Sequence, residues 1–242
     1  MKIYQIGYKP VPYGFWTQEP YLPLQVGTGT TFLPLRDDTG ENIAEWNPVF
    51  SENTGIYWVW KNTRSEITGV CQYRRRIKVP EGAFDAYDAV VCHPIRLSAT
   101  LSQQYSFFHS PKDIDLTTEI IEKYFPDYFS TWSKVLSAHT LYYSNCFVLR
   151  RELFDDYCAF LFGILFKYLE KRGWDTVDRA KDGILEDIMK KDRASFNGVR
   201  YQCLMGGFLS ERLFTCWLEH NREKIRILET PMVVMEDAIR PK

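Results

Sequence analysis

Residues 146–173 read CFVLRRELFDDYCAFLFGILFKYLEKRG, and this stretch decides the fold. Cys146 to Leu149 is a compact apolar run of strand type. Behind it, Phe154, Tyr157, Phe160, Leu161, Ile164, Leu165 and Tyr168 recur three and four residues apart until Gly173 ends the repeat. A strand that leads into a long helix with a broad apolar side is one unit of an α/β fold, and this helix is expected at its centre.

The alternation continues outward. Upstream, Lys2 to Ile6 reads as an opening strand, and the stretch through Gly29, rich in Pro, Gly and aromatics, as a long functional loop. After Asn47-Pro48, Ser51 can cap a helix in which Glu52, Ile56, Val59 and Trp60 share a stripe until Asn62. Ile67 to Arg75 and Tyr87 to Cys92 read as sheet strands, the second bounded by Pro94. Asp115 is expected to cap a helix that buries Ile120, Ile121, Tyr124 and Phe125 and stops at Pro126. Tyr128 to Ala138 restarts with Trp132, Val135 and Leu136 inward. Downstream, 174–194 is polar and charged and reads as a surface helix or a mobile insertion. Gly206-Gly207 precedes a helix from Leu209 to His220, and a last strand runs around Ile225 to Val234. Strands and helices alternating throughout imply that residues 1–242 form a single α/β domain.

Composition narrows the function. With 30 Lys plus Arg against 31 Asp plus Glu, the formal charge is −1, so no whole-chain field draws the protein onto nucleic acid, and an anion site must be a local cluster. The 45% hydrophobic content supports a sizeable core. Cys71, Cys92, Cys146, Cys158, Cys203 and Cys216 form no C-x-x-C pair, which argues against a zinc ribbon or a redox motif and for reduced, mostly buried thiols. The N-terminal apolar run meets Pro10 and Pro12 too soon for a signal peptide. The most apolar window, Ala159 to Leu169, carries Lys167 and falls short of the roughly 18 apolar residues that span a bilayer.

Three constellations could carry chemistry. Tyr73-Arg74-Arg75-Arg76 ends a strand, and the carboxyl ends of strands line the ligand crevice of open α/β sheets. Guanidinium forks there match phosphate oxygens and would neutralise a departing diphosphate, although a solvated basic edge has the same sequence. Glu52, on an apolar stripe, needs a partner, for which Arg74 or Arg75 is the natural candidate, as a structural ion pair or beside a substrate. Glu211, in the first turn of a helix after two glycines, lies at the boundary of the apolar side, where a carboxylate can act as a base or simply favour the helix dipole. Asp113-Ile114-Asp115, the one D-x-D, reads as a helix cap rather than a metal clamp, and Asp37-Asp38-Thr39-Gly40-Glu41-Asn42 reads as a turn. The histidines have no ligand spacing, and hydrolase, P-loop and dinucleotide motifs are missing.

Several segments in order carry a family resemblance: Lys2-Ile3-Tyr4 with Tyr8-Lys9-Pro10, Asp37-Asp38-Thr39-Gly40 with Asn42-Ile43, Asn47-Pro48 with Ser51-Glu52, Tyr57-Trp58-Val59-Trp60-Lys61-Asn62, and Gly69 leading to Tyr73-Arg74-Arg75. Asn145 to Leu149 leading into Glu152 to Cys158, and Gly207 with Ser210-Glu211-Arg212-Leu213, complete the set. Together they resemble the bacterial glycosyltransferase-like family catalogued as domain of unknown function 4422, found in capsule and exopolysaccharide synthesis. The family pattern has His where this chain has Gln72 and Tyr8, so a role that needs imidazole there is not carried over.

The resemblance implies a GT-A-like domain with a mixed, mostly parallel central sheet flanked by helices. It implies transfer of a sugar from a nucleotide-sugar donor, UDP-linked and of galactose or galactofuranose type, to a glycan or lipid-linked acceptor. The work would be cytoplasmic, at the inner face of the membrane where the acceptor is lipid-linked. Glu211 is the expected catalytic base. Lys9, Arg74, Arg75 and Arg212 are expected to offset phosphate charge, and Tyr8, Asp38, Asn42, Glu52, Gln72 and Asn145 to contact substrate. No cofactor is assigned; a manganese or magnesium ion stays open, without a credible D-x-D to hold it. Trp58 and Trp60 are expected in the core rather than as sugar platforms. The competing classes are a non-catalytic nucleotide-sugar or glycan-binding module of the same fold, and an interaction scaffold with an aromatic surface.

Overall fold

The computed structural model describes residues 1–10, 17–189 and 198–234; residues 190–194 of the expected insertion lie outside these. In chain order the strands are β1 (Lys2–Gly7), β2 (Tyr21–Gln25), β3 (Ile67–Gln72), β4 (Arg75–Ile77), β5 (Ala89–Cys92), β6 (Ile95–Arg96), β7 (Thr140–Leu141), β8 (Phe147–Arg150), β9 (Ile227–Thr230) and β10 (Met232–Val234). The helices are α1 (Asn47–Phe50), α2 (Asn53–Asn62), α3 (Ala83–Ala86), α4 (Leu101–Phe108), α5 (Pro111–Tyr124), α6 (Pro126–Ser137), α7 (Arg151–Arg172), α8 (Val177–Met189), α9 (Val199–Cys203) and α10 (Met205–Asn221).

Six strands form one sheet in the order β2-β1-β3-β8-β5-β9. The β1–β2, β1–β3 and β5–β9 pairs are parallel, and β8 runs antiparallel to both β3 and β5. The α/β architecture with a mixed, mostly parallel sheet flanked by helices is therefore the one the sequence implies. Strand side chains alternate between faces. Tyr4, Ile6, Val70, Val91, Phe147 and Leu149 meet a thick helical layer in which α7 packs with α2, α5 and α10. Ile3, Cys71, Val90, Cys92, Cys146 and Val148 face a thin cover made by β4 paired with β10 and by Ala83 and Phe84. Among the described residues no helix is long and apolar enough to cross a membrane.

Several boundaries differ from the sequence reading, each for a local reason. The expected loop through Gly29 contains β2, an edge strand, where Pro23 is tolerated because its missing donor can face away from β1. The expected strand Ile67 to Arg75 breaks after Gln72, where its pairing with β1 ends, and Arg75 restarts as β4 against β10. The last strand is two, parted by Pro231. Ser51 caps nothing ahead of α2; it closes the one-turn helix α1 and takes a left-handed φ of 54°. Proline at N1 starts α5 after Ser110, so Asp115 lies inside the helix and faces solvent, and Tyr124 is exposed where the chain turns into α6. Val177–Met189 is helical, with Ala180, Ile184 and Ile188 buried.

The last long helix begins at Met205 rather than Leu209, so Glu211 stands in its second turn and both glycines lie inside the helix. They are there because α10 crosses α1 closely. A Cβ on Gly206 would come within 2.7 Å of Phe50 Cδ1 and 3.0 Å of the Val49 carbonyl oxygen. Gly206→Ala is expected to destabilise the fold by about 1–3 kcal/mol through overpacking. Urea unfolding checks this: the midpoint falls at constant slope, whereas an unchanged midpoint would show that α1 yields.

Candidate active site

At the carboxyl ends of β1, β2 and β3 a cavity of about 610 Å³ opens between the sheet edge and helices α4, α9 and α10. Because β8 is antiparallel, the residues just before it, 143–145, reach the same edge. Its lining combines apolar residues, Leu97, Phe108, Leu141, Leu204 and Phe208, with the polar and charged Glu52, Gln72, Arg74, Arg75 and Glu211.

Consecutive residues of α10 point in different directions, about 100° apart. Ser210 Oγ accepts from Asn145 Nδ2 at 2.9 Å and Asn53 Nδ2 at 3.1 Å. Glu211 lines the cavity. Arg212 turns into the core, fully buried, where it donates to the Phe208 carbonyl at 2.7 Å and to Gln104 Oε1.

The Glu211 carboxylate accepts the Ser144 N–H at 2.8 Å and lies 3.6 Å from the Arg212 guanidinium. Burial pushes its pKa up to about 7; Arg212, the Ser144 amide and Arg75 pull it down, and the neighbouring Glu52 pushes it further up. Glu52 precedes α2 instead of sitting on its apolar stripe. Its Oε1 accepts from Gln72 Nε2 at 3.0 Å and Asn145 Nδ2 at 2.9 Å, so two amides stand where an arginine was expected. Ser144 and Asn145 have φ values of 77° and 45°. Such conformations cost non-glycine residues about 1–3 kcal/mol each and persist where surroundings over-determine them. Among the described residues the non-glycine positions with positive φ are Ser51, Ser144 and Asn145, and each lines the cavity or bonds to a carboxylate that does.

Arg75 is held by Gln72 Oε1 and the Tyr143 hydroxyl, with its guanidinium 4.6 Å from the Tyr143 ring centre. Arg74 is exposed at the mouth. Arg200, from α9, lies 4.3 Å over the Tyr8 ring. Partial burial would raise the Tyr8 pKa, but the Tyr73 hydroxyl, Arg200 and Lys9 outweigh it and lower the phenol. A chain with no net field thus concentrates three guanidinium groups at one opening.

Of the residues singled out in the sequence, Tyr8, Glu52, Gln72, Arg74, Arg75 and Glu211 line the cavity. Asn145 lies one layer beneath and Arg212 behind. Lys9 is exposed beside Tyr8, outside the lining. Asp38 pairs with Arg36, and Asn42 bonds to the Gly40 carbonyl at 2.9 Å and the Ala44 N–H at 3.2 Å, both away from the cavity. The turn that contains them grips α2: Trp58 Nε1 donates to the Thr39 carbonyl, the Tyr57 hydroxyl to Glu41, and Asn62 Nδ2 to the Glu41 carbonyl. Two of the family's sequence segments therefore interlock. Trp58 is buried against Tyr4, a core position as expected, while Trp60 is partly buried and stacks on Phe162 at the edge of the core; neither lines the cavity. Tyr143, Ser144 and Arg200 escaped the sequence reading. The direction of β8 would have pointed to the first two; Arg200 carries no motif.

The one D-x-D does not form a metal clamp. Asp113 is buried and accepts from the Tyr105 and Tyr168 hydroxyls at 2.8 and 2.6 Å, while Asp115 faces solvent. Among the described residues no group of three or more His, Cys, Asp or Glu is placed to hold a metal.

The family model described as "Domain of unknown function (DUF4422)" matches residues 2–222. Among solved structures, the apo structure of WbbM, a bifunctional glycosyltransferase, is similar with a TM-score of 0.75 at 22% identity over 97% of this chain. The match spans 45% of that protein's chain, and at this identity it shows the fold alone. No curated protein sequence matches.

Proposed function

The chain belongs to the family described as domain of unknown function (DUF4422), and from that premise we propose that it is a glycosyltransferase that takes its sugar from a nucleotide-sugar donor. The observation that carries this is the convergence of Glu211 with Arg74 and Arg75 on one cavity. The acceptor hydroxyl oxygen forms a bond to the anomeric carbon as the bond from that carbon to the diphosphate breaks, and the hydroxyl proton passes to Glu211. A carboxylate whose pKa burial has raised to about 7 is poised for this near neutral pH. Arg74, Arg75 and Arg200 neutralise the leaving diphosphate by directed hydrogen bonds.

The finer reading is a UDP-linked donor of galactose or galactofuranose type and a glycan or lipid-linked acceptor. Its place is surface polysaccharide synthesis, in the cytoplasm at the inner face of the membrane. The similarity of fold to WbbM, a bifunctional glycosyltransferase, supports the reaction class. The test is a panel of nucleotide sugars with and without manganese, read as released nucleoside diphosphate. Release with one donor and a matching acceptor is expected. Saturable binding with no release under any acceptor would instead make this a binding module.

A further inference from the structure

Cys71, Cys146 and Cys92 belong to three neighbouring strand segments. The register of β8 against β3 sets Phe147 opposite Val70, and its register against β5 sets Phe147 opposite Val91. One residue further along, the same registers set Cys146 opposite Cys71 on one side and Cys92 on the other, all on the face turned away from the helical layer. Directly opposed residues in antiparallel pairs hold their Cβ atoms about 4.5–5.5 Å apart. A disulfide needs about 3.5–4.5 Å, a small adjustment. Cys146 is buried with both flanking thiols in one cluster, and all three are free.

Cys146 is unlike an ordinary core thiol. Beyond the Cys71 and Cys92 contacts, the Gln72 backbone N–H and the Arg75 charge also favour its thiolate, and together they hold its pKa well below the usual thiol range against the effect of burial. Cys71 and Cys92 are raised, first by their hydrogen bonds to Cys146 and then by burial. The thiolate is the nucleophilic form. Gln72 and Arg75, whose backbone N–H and charge act on Cys146, both line the cavity, so the buried sulfur stands behind residues of the cavity wall.

We propose that Cys71, Cys92 and Cys146 form a peroxide-sensitive modification site, in which Cys146 becomes disulfide-bonded to either flanking cysteine and the adjoining Ser144-Asn145 turn loosens its hold on the cavity carboxylates. The Cys146 thiolate attacks one peroxide oxygen; the O–O bond breaks, leaving a sulfenic acid and one water once the departing hydroxide is protonated. The sulfur of Cys71 or Cys92 then attacks the Cys146 sulfur, forming the S–S bond and expelling the second oxygen as water. Two thiols lose two electrons and two protons, and one peroxide becomes two waters.

The test is treatment of the whole protein with hydrogen peroxide, then alkylation under denaturing conditions and peptide mass mapping. The expected product is a linked pair, Cys146 with Cys71 or with Cys92, reversed by a thiol reductant. Amide exchange in the peptide covering 142–147 is expected to quicken about tenfold or more in the oxidised protein. Three alkylatable thiols after peroxide would overturn the site, and a disulfide with unchanged exchange would overturn the coupling to the turn. C146S, or C146A if the first folds poorly, is expected to leave Cys71 and Cys92 free after the same treatment; a Cys71–Cys92 link there would reject Cys146 as the attacking thiol. Every readout is independent of sugar transfer, so these outcomes stand apart from the proposed activity.

Discussion

Glu211→Gln is expected to keep the fold and to lower the transfer rate by about 10²–10⁴-fold, the contribution of a positioned general base. The amide can still accept the Ser144 N–H, so the loss isolates proton transfer from architecture. In the unmodified enzyme kcat/KM is expected to fall as pH drops below about 7, where Glu211 takes up its proton. Glu52→Gln removes a charge that raises the Glu211 pKa, and so is expected to move this limb to lower pH while the hydrogen bonds from Gln72 and Asn145 remain available. Stability should move the opposite way to activity. Below the ordinary carboxylate value of 4.5, Glu211 is protonated in both folded and unfolded chains and costs nothing. As pH rises from there to about 7, the unfolded chain gives up its proton before the folded one does, so the native state loses stability, with the full loss reached above about 7. Glu211→Gln is therefore expected to be more stable than the parent at pH 8, by about 3 kcal/mol, and so to melt at higher temperature there, with the gain vanishing near pH 4. Paired thermal melts and initial rates across pH check both. A variant with full rate at every pH would remove Glu211 from the chemistry.

The second large effect is expected at the arginines. Replacing Arg74 and Arg75 together by Ala should weaken nucleoside diphosphate binding about 10²-fold or more, at about 1.5–3 kcal/mol for each hydrogen bond to a charged group. The matching nucleoside without phosphates should bind nearly as before, which calorimetry on the two ligands distinguishes. Equal loss for both ligands would mean that the pair shapes the pocket instead of holding phosphate. Arg75→Lys is expected to recover little, because Gln72 and the Tyr143 hydroxyl pre-orient a planar fork that an ammonium cannot reproduce.

What the sequence discloses and what it conceals divide along a physical line. The repeat from Phe154 to Tyr168 and the apolar run before it fix the central helix and its strand, because burial on a helical period is written locally. Arg74, Arg75 and Glu211 could be placed near one another because strand ends and helix starts gather at a sheet edge. Strand β2 was concealed by Pro23, which an edge position forgives. The partners of Glu52 were concealed because Gln72 and Asn145 meet it only through long-range pairing of β3 and β8. Asp38 and Asn42 show the converse: their segment carries part of the resemblance, yet its bonds clamp α2 and neither residue lines the cavity.

Ser210, Glu211 and Arg212 are each tied to a different neighbour, so α10 cannot slide or rotate without breaking several bonds at once. The α10 side of the cavity is thus a fixed chassis. Altered sugar choice is better sought at other lining positions, Ile95, Leu97 and Tyr201, where a substitution disturbs none of those attachments. Directed evolution for altered donor or acceptor choice should be aimed there.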